Sequence, residues 1–297
     1  MNTLIIKLGA TGDVVRTTPL LKRLGGHISW VTAAKNAPLL AGLHPNVRSA
    51  PWEQRESFRD KDYDLVINLE DTLEAAQFVG TLKYKRLFGA FADGDKPGYT
   101  DDSRGWFDLS LISRFGRQEA DRLKLINRRA YQDLIFSGLR FRFDGEKYLL
   151  PPTAKSDMAG DVAIAPKAGL VWPMKNWAFY DELKTELERE GLTVNVLPER
   201  DTLLEHLADV RSHQVLVSGD TLPMHLALGS GVRCVTLFNC TSPWEIFGYG
   251  IQNKIVSPLL DEFFYRRGLD ERATTAIPVG EVFRAVMEQL PVLEPAR

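Results

Sequence analysis

Short runs of apolar residues alternate along this chain with longer segments in which apolar positions recur every three or four residues. The runs are typical of buried parallel strands, and the periodic segments are typical of helices that bury one face. Predicted strands cover residues 4–8, 28–31, 64–69, 161–165, 192–197, 214–217 and 233–238. Predicted helices include residues 71–83, 177–190 and a final helix near 279–290. Strands alternating with helices indicate an α/β protein with parallel sheets.

Two stretches interrupt this rhythm. Residues 92–118 contain several glycines and many charges, which predicts a long loop with at most short helices. The sequence Pro151-Pro152-Thr153-Ala154 is a poor strand or helix interior and predicts a linker. The chain therefore divides into predicted domains at 1–150 and 151–297, and two such α/β halves imply a cleft between them.

Composition and charge exclude several classes of protein. The 37 Lys and Arg against 39 Asp and Glu give a net charge of −2, which argues against a nucleic-acid partner. No apolar run is long enough for a membrane helix, and the first residues lack the design of a signal peptide. Cys234 and Cys240 are the two cysteines, and their spacing fits neither a disulfide framework nor a zinc site. These features predict a cytoplasmic protein without a bound metal.

Charge is distributed unevenly between the halves. Residues 1–150 contain 23 Lys and Arg against 19 Asp and Glu, whereas residues 151–297 contain 14 against 20. A basic half beside an acidic half favours an anionic partner for the first half, although ordinary scatter of solvated charge explains the numbers equally well.

The segment from Lys7 to Asp13 follows the first predicted strand. Ligands in open α/β sheets bind at that edge, and Gly9 and Gly12 allow close approach of a ligand to the backbone. The spacing matches neither the GxGxxG fingerprint nor a Walker A loop. Asp13 is either the N-cap of the following helix or a general base.

Three segments of the second half also follow predicted strands. Around Asp220, Thr221 and Leu222 a strand gives way to a helix, and the N-terminus of that helix suits a diphosphate. The alternative is that the helix is only a capped structural element and that His225 is a core or cap histidine. Lys175 lies in a loop where it would neutralise phosphate oxygens or simply be solvated. Thr241 would donate to a ligand or shape a turn.

Two further patterns are compatible with surface roles. Asp93-Gly94-Asp95 matches the Asp-x-Asp metal motif of many sugar transferases, but the Gly-rich context favours a solvated turn. Basic residues that would meet an anionic acceptor, or form solvated faces, are Arg55, Arg59, Lys61, Arg114, Arg117 and Arg122.

Taken in order, these segments resemble glycosyltransferase family 9, the ADP-heptose:lipopolysaccharide heptosyltransferases. Residues 5–21 are similar to the N-terminal signature of that family, residues 220–243 to its C-terminal signature, and Lys175-Asn176-Trp177 to its KxW segment. The resemblance implies an α/β GT-B fold, with two Rossmann-like domains whose parallel sheets face each other across a cleft. Residues 1–150 would then bind the acceptor and residues 151–297 the donor, with the last helix packing back on the N-terminal domain.

The same resemblance implies an inverting, metal-independent transferase that moves a heptose or related sugar from a nucleotide diphosphate, with no other cofactor. Asp13 would be the base and Lys175 a ligand of the diphosphate. The remaining implied donor-site residues are Thr11, Gly12, Glu199, Asp220, Thr221, Leu222, His225 and Thr241. The acceptor would be a glycan, a glycolipid or another molecule such as a protein or a small molecule. An anionic acceptor such as a lipopolysaccharide core fits the basic first half, and it fits peripheral contact with the cytoplasmic membrane.

Departures from the family pattern leave alternatives open. Leu222 and Asn239 stand where the family has glycine, and the 198–213 region is shorter than usual. These changes are compatible with a transferase that uses a different nucleotide sugar, or with a binding module that has lost turnover. A sugar-nucleotide epimerase shares the fold but not the two signatures.

Overall fold

The computed structural model describes residues 1–290, and the chain divides into two compact units. Unit 1 comprises Met1–Pro151 together with Trp244–Phe247, and unit 2 comprises Pro152–Pro243 together with the chain from Gly248 onward. The predicted boundary after residue 150 lies one residue before this division.

Unit 1 is built on a six-stranded sheet. The eight strands of this unit are β1 (Asn2–Ile6), β2 (His27–Thr32), β3 (Val47–Pro51), β4 (Asp62–Tyr63), β5 (Leu65–Asn68), β6 (Lys83–Tyr84), β7 (Leu87–Asp93) and β8 (Lys96–Tyr99). The sheet order is β3-β2-β1-β5-β7-β8, with every pair parallel except β7 and β8, while β4 and β6 form a separate parallel pair. The central position of β1 places the segment from Lys7 onward at the carboxyl edge of the sheet.

The helices of unit 1 are short. They are α1 (Thr11–Thr17), α2 (Ala37–Leu40), α3 (Leu73–Val79), α4 (Arg104–Phe107), α5 (Arg117–Ile126) and α6 (Tyr131–Gly138). The predicted loop over 92–118 is wrong in its first part, because β7 and β8 form an antiparallel hairpin. Gly94 occupies the hairpin turn with φ of 64°, a conformation that glycine adopts without a steric cost.

The core of unit 1 explains why its first strand is apolar at every position. Ile5 faces one layer, which contains Val14 of α1 and Trp30, whereas Leu4 and Ile6 face the other layer with Phe78 of α3. All three strand residues have 0% of their surface exposed. A strand buried on both faces needs apolar side chains on both, so the run does not alternate.

Unit 2 has a five-stranded sheet in which all neighbours are parallel. Its strands are β9 (Gly160–Ala165), β10 (Val194–Val196), β11 (His213–Gly219), β12 (Arg233–Phe238) and β13 (Gln252–Val256), in the order β10-β9-β11-β12-β13. Its helices are α7 (Tyr180–Arg189), α8 (Leu203–Arg211), α9 (Leu222–Ser230), α10 (Leu260–Phe263), α11 (Glu271–Thr275) and α12 (Val279–Gln289).

The final helix packs on the sheet of its own unit, and the expectation that it packs back on the N-terminal domain stays a prediction. Val282 and Val286 of α12 are fully buried in the same apolar cluster as Val235 of β12. Burial of that apolar stripe on its own sheet leaves a largely polar face outward. None of the helices within residues 1–290 is both long and apolar enough to cross a bilayer.

The segment Trp244–Phe247 is the part of the second half that packs in unit 1. The backbone N–H of Tyr131 donates to the carbonyl oxygen of Glu245 at 3.0 Å. The Arg128 guanidinium lies 3.7 Å from the centre of the Trp244 ring, and Phe247 packs edge-on against Phe143. Aromatic and backbone contacts therefore fix these four residues in unit 1.

Candidate functional site

Asp13 lies in the first turn of α1, which begins directly after the loop that follows β1. The N-cap of this helix is Ala10, with φ of −64° and ψ of 161°, and Asp13 is the third residue of the helix proper. The alternative role of Asp13 as N-cap is therefore wrong, because the helix begins earlier than the pattern of apolar residues indicates. Its carboxylate is 29% exposed and available for chemistry.

Two buried cations surround the Asp13 carboxylate. Nη2 of Arg16 lies 2.9 Å from its Oδ1, and Nζ of Lys7 lies 3.8 Å from its Oδ2. The Arg16 guanidinium lies over the Tyr131 ring, 4.1 Å from the ring centre, and its Nη1 is 3.8 Å from Oε2 of Glu245. Nearby positive charge favours the ionised form of a carboxylic acid, which is the form that accepts a proton.

Glu70 holds the loop that leads to Asp13. Its Oε1 accepts hydrogen bonds from Nζ of Lys7 at 2.9 Å, from the backbone N–H of Leu8 at 2.7 Å and from that of Gly9 at 3.4 Å. Burial by itself would lower the pKa of Lys7, but the charges of Asp13 and Glu70 raise it above its ordinary value, so the lysine stays protonated. The loop and its cation are thus fixed by one buried carboxylate.

Thr11 and Gly12 are the first two residues of α1. The Thr11 hydroxyl donates to Oδ1 of the buried Asn36 at 2.7 Å, and Nδ2 of Asn36 donates to the carbonyl oxygen of Leu8 at 2.7 Å. The hydroxyl of Thr11 therefore helps to fix the loop. Gly12 is half-buried beside it.

In unit 2 the corresponding site lies where α9 begins, after β11. Thr221 is the N-cap of α9, and Pro223 stands in the first turn. Asp220 does not cap this helix, because its carboxylate is used elsewhere. Its Oδ2 accepts hydrogen bonds from Nζ of Lys175 at 2.9 Å and from the Thr241 hydroxyl at 2.8 Å. Residues from three separate segments thus meet at one half-buried carboxylate.

Two backbone contacts bring Lys175 to this position. A Cβ on Gly219 would lie 2.9 Å from the carbonyl oxygen of Lys175, so glycine is required for the close approach. Nδ2 of the buried Asn239 donates to the carbonyl oxygen of Met174 at 2.9 Å. Asn239, which replaces the glycine of the family pattern, therefore holds the turn that carries Lys175.

The pKa of Asp220 is strongly perturbed. Burial alone would raise it, but the charges of Lys175 and His225 and the hydrogen bonds from Lys175 and Thr241 lower it to about 2. His225 is the fourth residue of α9 and is buried there. The Asp220 carboxyl is therefore ionised at neutral pH.

This shift predicts a pH-dependent contribution to stability. The pKa of Asp220 is lower in the folded protein, at about 2, than its ordinary value of 3.8. The contribution is therefore present above pH 4 and lost as the pH falls towards 2. We expect wild type to lose about 2 kcal/mol more of its unfolding free energy than Asp220→Asn between pH 5 and pH 2, measured by urea unfolding. Asp95→Asn, in the exposed hairpin turn, should follow wild type. Parallel curves for wild type and Asp220→Asn would contradict the assignment.

A cavity of about 340 Å³ opens at the carboxyl edge of β9 and β10 in unit 2. Its lining combines apolar residues such as Pro166, Leu197 and Pro223 with Glu199 and His206. Glu199 stands at its exposed rim, where its Oε1 lies 2.9 Å from Nζ of Lys167. The volume and the largely apolar walls suit a small organic ligand.

The predicted acceptor residues are all engaged by neighbours. Arg55 lies over the Trp52 ring and pairs with Glu74. The other contacts are Arg59 with Glu56, Lys61 with the Phe58 ring, Arg114 with Asp101 and the Tyr99 ring, Arg117 with Asp121, and Arg122 with Glu119. They lie in two sequence segments of unit 1, and an anionic acceptor there stays a prediction.

Several residues of the site escaped prediction from the sequence. Lys7, Arg16, Glu70 and Glu245 form the charged surroundings of Asp13. Glu70 is the second residue after β5, and a charged residue just beyond the carboxyl end of a buried strand was a signal that could have found it. Within residues 1–290, no three His, Cys, Asp or Glu side chains are grouped to hold a metal ion.

Comparisons with known proteins bear on this geometry. Residues 162–262 match glycosyltransferase family 9 (heptosyltransferase). No curated protein matches the sequence. Among solved structures, the chain is similar to Escherichia coli heptosyltransferase WaaC with ADP, at 18% identity and a TM-score of 0.62, covering 97% of this chain and 100% of that one.

Two other solved structures share the fold. A family 9 glycosyl transferase from Veillonella parvula has 14% identity and a TM-score of 0.66, with 97% of this chain and 96% of that chain covered. The iron-containing dodecameric glycosyltransferase TibC of enterotoxigenic E. coli has 12% identity and a TM-score of 0.59, with 97% and 75% covered. At these identities the likeness establishes the fold.

The profile match lies over the part of unit 2 that carries Lys175, Asp220 and Thr241, and the fold match extends over nearly the whole chain. The match and the fold together confirm the predicted resemblance to glycosyltransferase family 9, the α/β GT-B fold class with two parallel-sheet domains, and the prediction of a glycosyltransferase.

Proposed function

We propose that this protein transfers a heptose or a related sugar from a nucleoside diphosphate donor, with ADP as the nucleotide, to an acceptor hydroxyl with inversion at the anomeric carbon. The observation that carries the proposal is the cluster of Lys175, Asp220 and Thr241 at the start of α9. It places a charged lysine beside a helix N-terminus, at the edge of the sheet where ligands of parallel α/β proteins bind.

The diphosphate would be bound by Lys175 and the first turn of α9. A lysine ammonium has three N–H donors. Lys175 uses two of them, to the carbonyl oxygen of Asp220 at 2.6 Å and to its carboxylate at 2.9 Å, and the third is left for a phosphate oxygen. The backbone N–H groups of Leu222 and Met224 have no partner within the helix, and the helix dipole adds positive potential there.

The same groups would stabilise the leaving diphosphate. Negative charge develops on its oxygens as the bond to the sugar breaks, and fixed donors aimed at that charge lower the barrier. Because Lys175 and the helix start supply positive charge, the proposed reaction does not depend on a metal ion.

The nucleoside would occupy the cavity of about 340 Å³ between β9, β10 and α8. Its apolar walls suit the faces of a purine, and the Glu199 carboxylate at the rim would accept hydrogen bonds from ribose hydroxyls. The choice of adenine is supported by WaaC, whose structures contain ADP and ADP-2-deoxy-2-fluoro heptose.

Asp13 would act as the general base in unit 1. The acceptor oxygen attacks the anomeric carbon, the bond from that carbon to the diphosphate oxygen breaks, and the hydroxyl proton passes to the Asp13 carboxylate. Lys7 and Arg16 hold this carboxylate in place through ion pairs. An acceptor hydroxyl on a glycan or glycolipid fits this chemistry, and a lipid-linked acceptor would bring the protein to the cytoplasmic face of a membrane.

Calorimetric titration of the full chain with ADP, UDP, GDP and NAD, each with and without EDTA, tests the donor half of this proposal. We expect ADP to bind at least about tenfold more tightly than UDP or GDP, because the nucleoside cavity discriminates between bases, and EDTA to leave its affinity unchanged. Preferential binding of UDP or GDP would move the donor to another nucleotide sugar. Loss of ADP binding in EDTA would refute metal independence, and binding of no nucleotide would favour a module without turnover.

A further inference from the structure

A cavity of about 270 Å³ adjoins Asp13 within unit 1, and its charges are unbalanced. Its lining includes three carboxylates, those of Asp13, Glu70 and Asp71, against a single cation, Lys7. Glu70 and Asp71 follow β5, and Asp13 and Lys7 come from the neighbouring β1 segment, so parallel pairing of these two strands assembles the cavity. In a concave site of this kind, low-dielectric walls strengthen the field of the lining charges.

The positive charge in the cavity is already neutralised. Nζ of Lys7 is 2.9 Å from Glu70 and 3.8 Å from Asp13. Arg16 does not line the cavity and is held between Asp13 and Glu245. A carboxylate or phosphate entering the cavity would therefore meet like charges with no cation left to bind it.

Asp71 differs from the other two carboxylates. Within residues 1–290 its carboxylate forms no hydrogen bond or ion pair, and the residue is half-buried in the wall of the cavity. An ionised carboxylate is an acceptor with two oxygens, and the donors it can take from a neutral ligand are hydroxyl or amide groups. Asp71 is thus placed to bind hydroxyls.

The lining of the cavity also includes an aromatic side chain. Trp106 lines the cavity, and its ring is held edge-on against Tyr131, with ring centres 4.7 Å apart and planes at 86°. An aromatic ring held in one orientation offers a flat apolar face to the C–H groups of a pyranose. Ser110 adds a hydroxyl that already donates to the carbonyl oxygen of Phe107, so that its oxygen is an acceptor.

We propose that the acceptor sugar ring that reaches Asp13 is uncharged, a neutral polyol bound through its hydroxyls by Asp71 and through its C–H face by Trp106. The three carboxylates select against a ring that carries a carboxylate or phosphate, since juxtaposed like charges disfavour a wrong ligand. The excess of positive charge in residues 1–150 does not alter this, because Arg55 and Arg114 pair with their own carboxylates. The inference rests on the proposed function, in which Asp13 is the base.

NMR titration of the full chain with paired probes tests the selectivity. The neutral probes are the methyl α-glycosides of glucose, galactose and mannose. Each is paired with the methyl α-glycoside of the corresponding uronic acid, whose free carboxylate adds one negative charge. For at least one pair we expect the neutral glycoside to bind at least about tenfold more tightly than its uronate. In 0.5 M NaCl this ratio should fall, because the penalty on the uronate is electrostatic.

Variants identify the residue responsible. Asp71→Asn removes one negative charge and should reduce the ratio to about threefold or less, whereas Asp95→Asn, in the exposed hairpin turn, should keep the wild-type ratio. The inference is overturned if a uronate binds as tightly as its neutral partner, if Asp71→Asn leaves the ratio unchanged, or if no neutral glycoside binds. ADP titration of the same samples separates the two ideas: bound ADP without glycoside binding refutes this inference alone, and selective glycoside binding without ADP binding refutes the proposed donor.

Discussion

Asp13→Ala is expected to reduce sugar transfer by about a thousandfold while the affinity for ADP stays within about twofold of wild type. A positioned base contributes roughly 10²- to 10⁴-fold to a proton-transfer step, and alanine cannot accept the proton. The donor contacts of unit 2 are untouched by the substitution. Transfer from the donor to an acceptor glycoside, followed by mass spectrometry, gives the rate, and calorimetry gives the ADP affinity.

The variant also removes a counter-charge from Lys7 and Arg16, so folding needs to be controlled. Asp13→Asn keeps the size of the side chain and should lose transfer to a similar extent. Asp62→Ala makes the same change at an exposed position of unit 1 and should transfer at the wild-type rate. Wild-type transfer by Asp13→Ala would show that another group takes the proton.

Lys175→Ala is expected to weaken ADP binding by about 10- to 100-fold. Loss of a charge-assisted hydrogen bond costs about 1.5–3 kcal/mol, which corresponds to that range of affinity. Transfer should fall further than affinity does, because the lysine also stabilises the charge that develops on the leaving diphosphate. Calorimetry with ADP and steady-state kinetics with the donor measure the two effects separately.

The experiment has to separate phosphate binding from folding, because Lys175→Ala leaves the half-buried Asp220 carboxylate without its cation. The double variant Lys175→Ala with Asp220→Asn removes that charge and should recover stability without recovering ADP affinity. Lys184→Ala removes a lysine that pairs with Glu188 on the surface of α7 and should change neither. If the double variant regains wild-type affinity, Lys175 acts on folding and not on the phosphate.

Short-range pattern was sufficient for much of the fold. Continuous apolar runs identified the central strands because a parallel strand is buried on both faces, as Leu4, Ile5 and Ile6 are. The local pattern did not predict elements that form through pairing between distant parts of the chain. The β7–β8 hairpin contains Pro97 and three glycines, which read locally as a loop, and its strand pairing is visible only in three dimensions.

The candidate site shows the same division. Asp13, Lys175, Asp220 and Thr241 are found in the sequence because they lie in the segments that follow predicted strands, where ligands of parallel sheets bind. Glu70 is separated from Lys7 by 63 residues in the chain, and only the pairing of β1 with β5 brings the two together. The excess of basic residues in 1–150 suggested an anionic partner, but it gave no indication that three carboxylates line the cavity at Asp13.

The sequence by itself determined the α/β class, the linker at Pro151-Pro152, the family resemblance and the residues at the edges of the strands, because periodicity and motif spacing are local properties. Tertiary structure alone decided which charges face one another. It paired Arg16 with Asp13 and Glu245, joined Asp220 to Lys175 and Thr241, and packed Trp244–Phe247 in unit 1. The physical reason is that ion pairing, burial and cavity charge depend on distances between segments, which the order of residues in a chain does not contain.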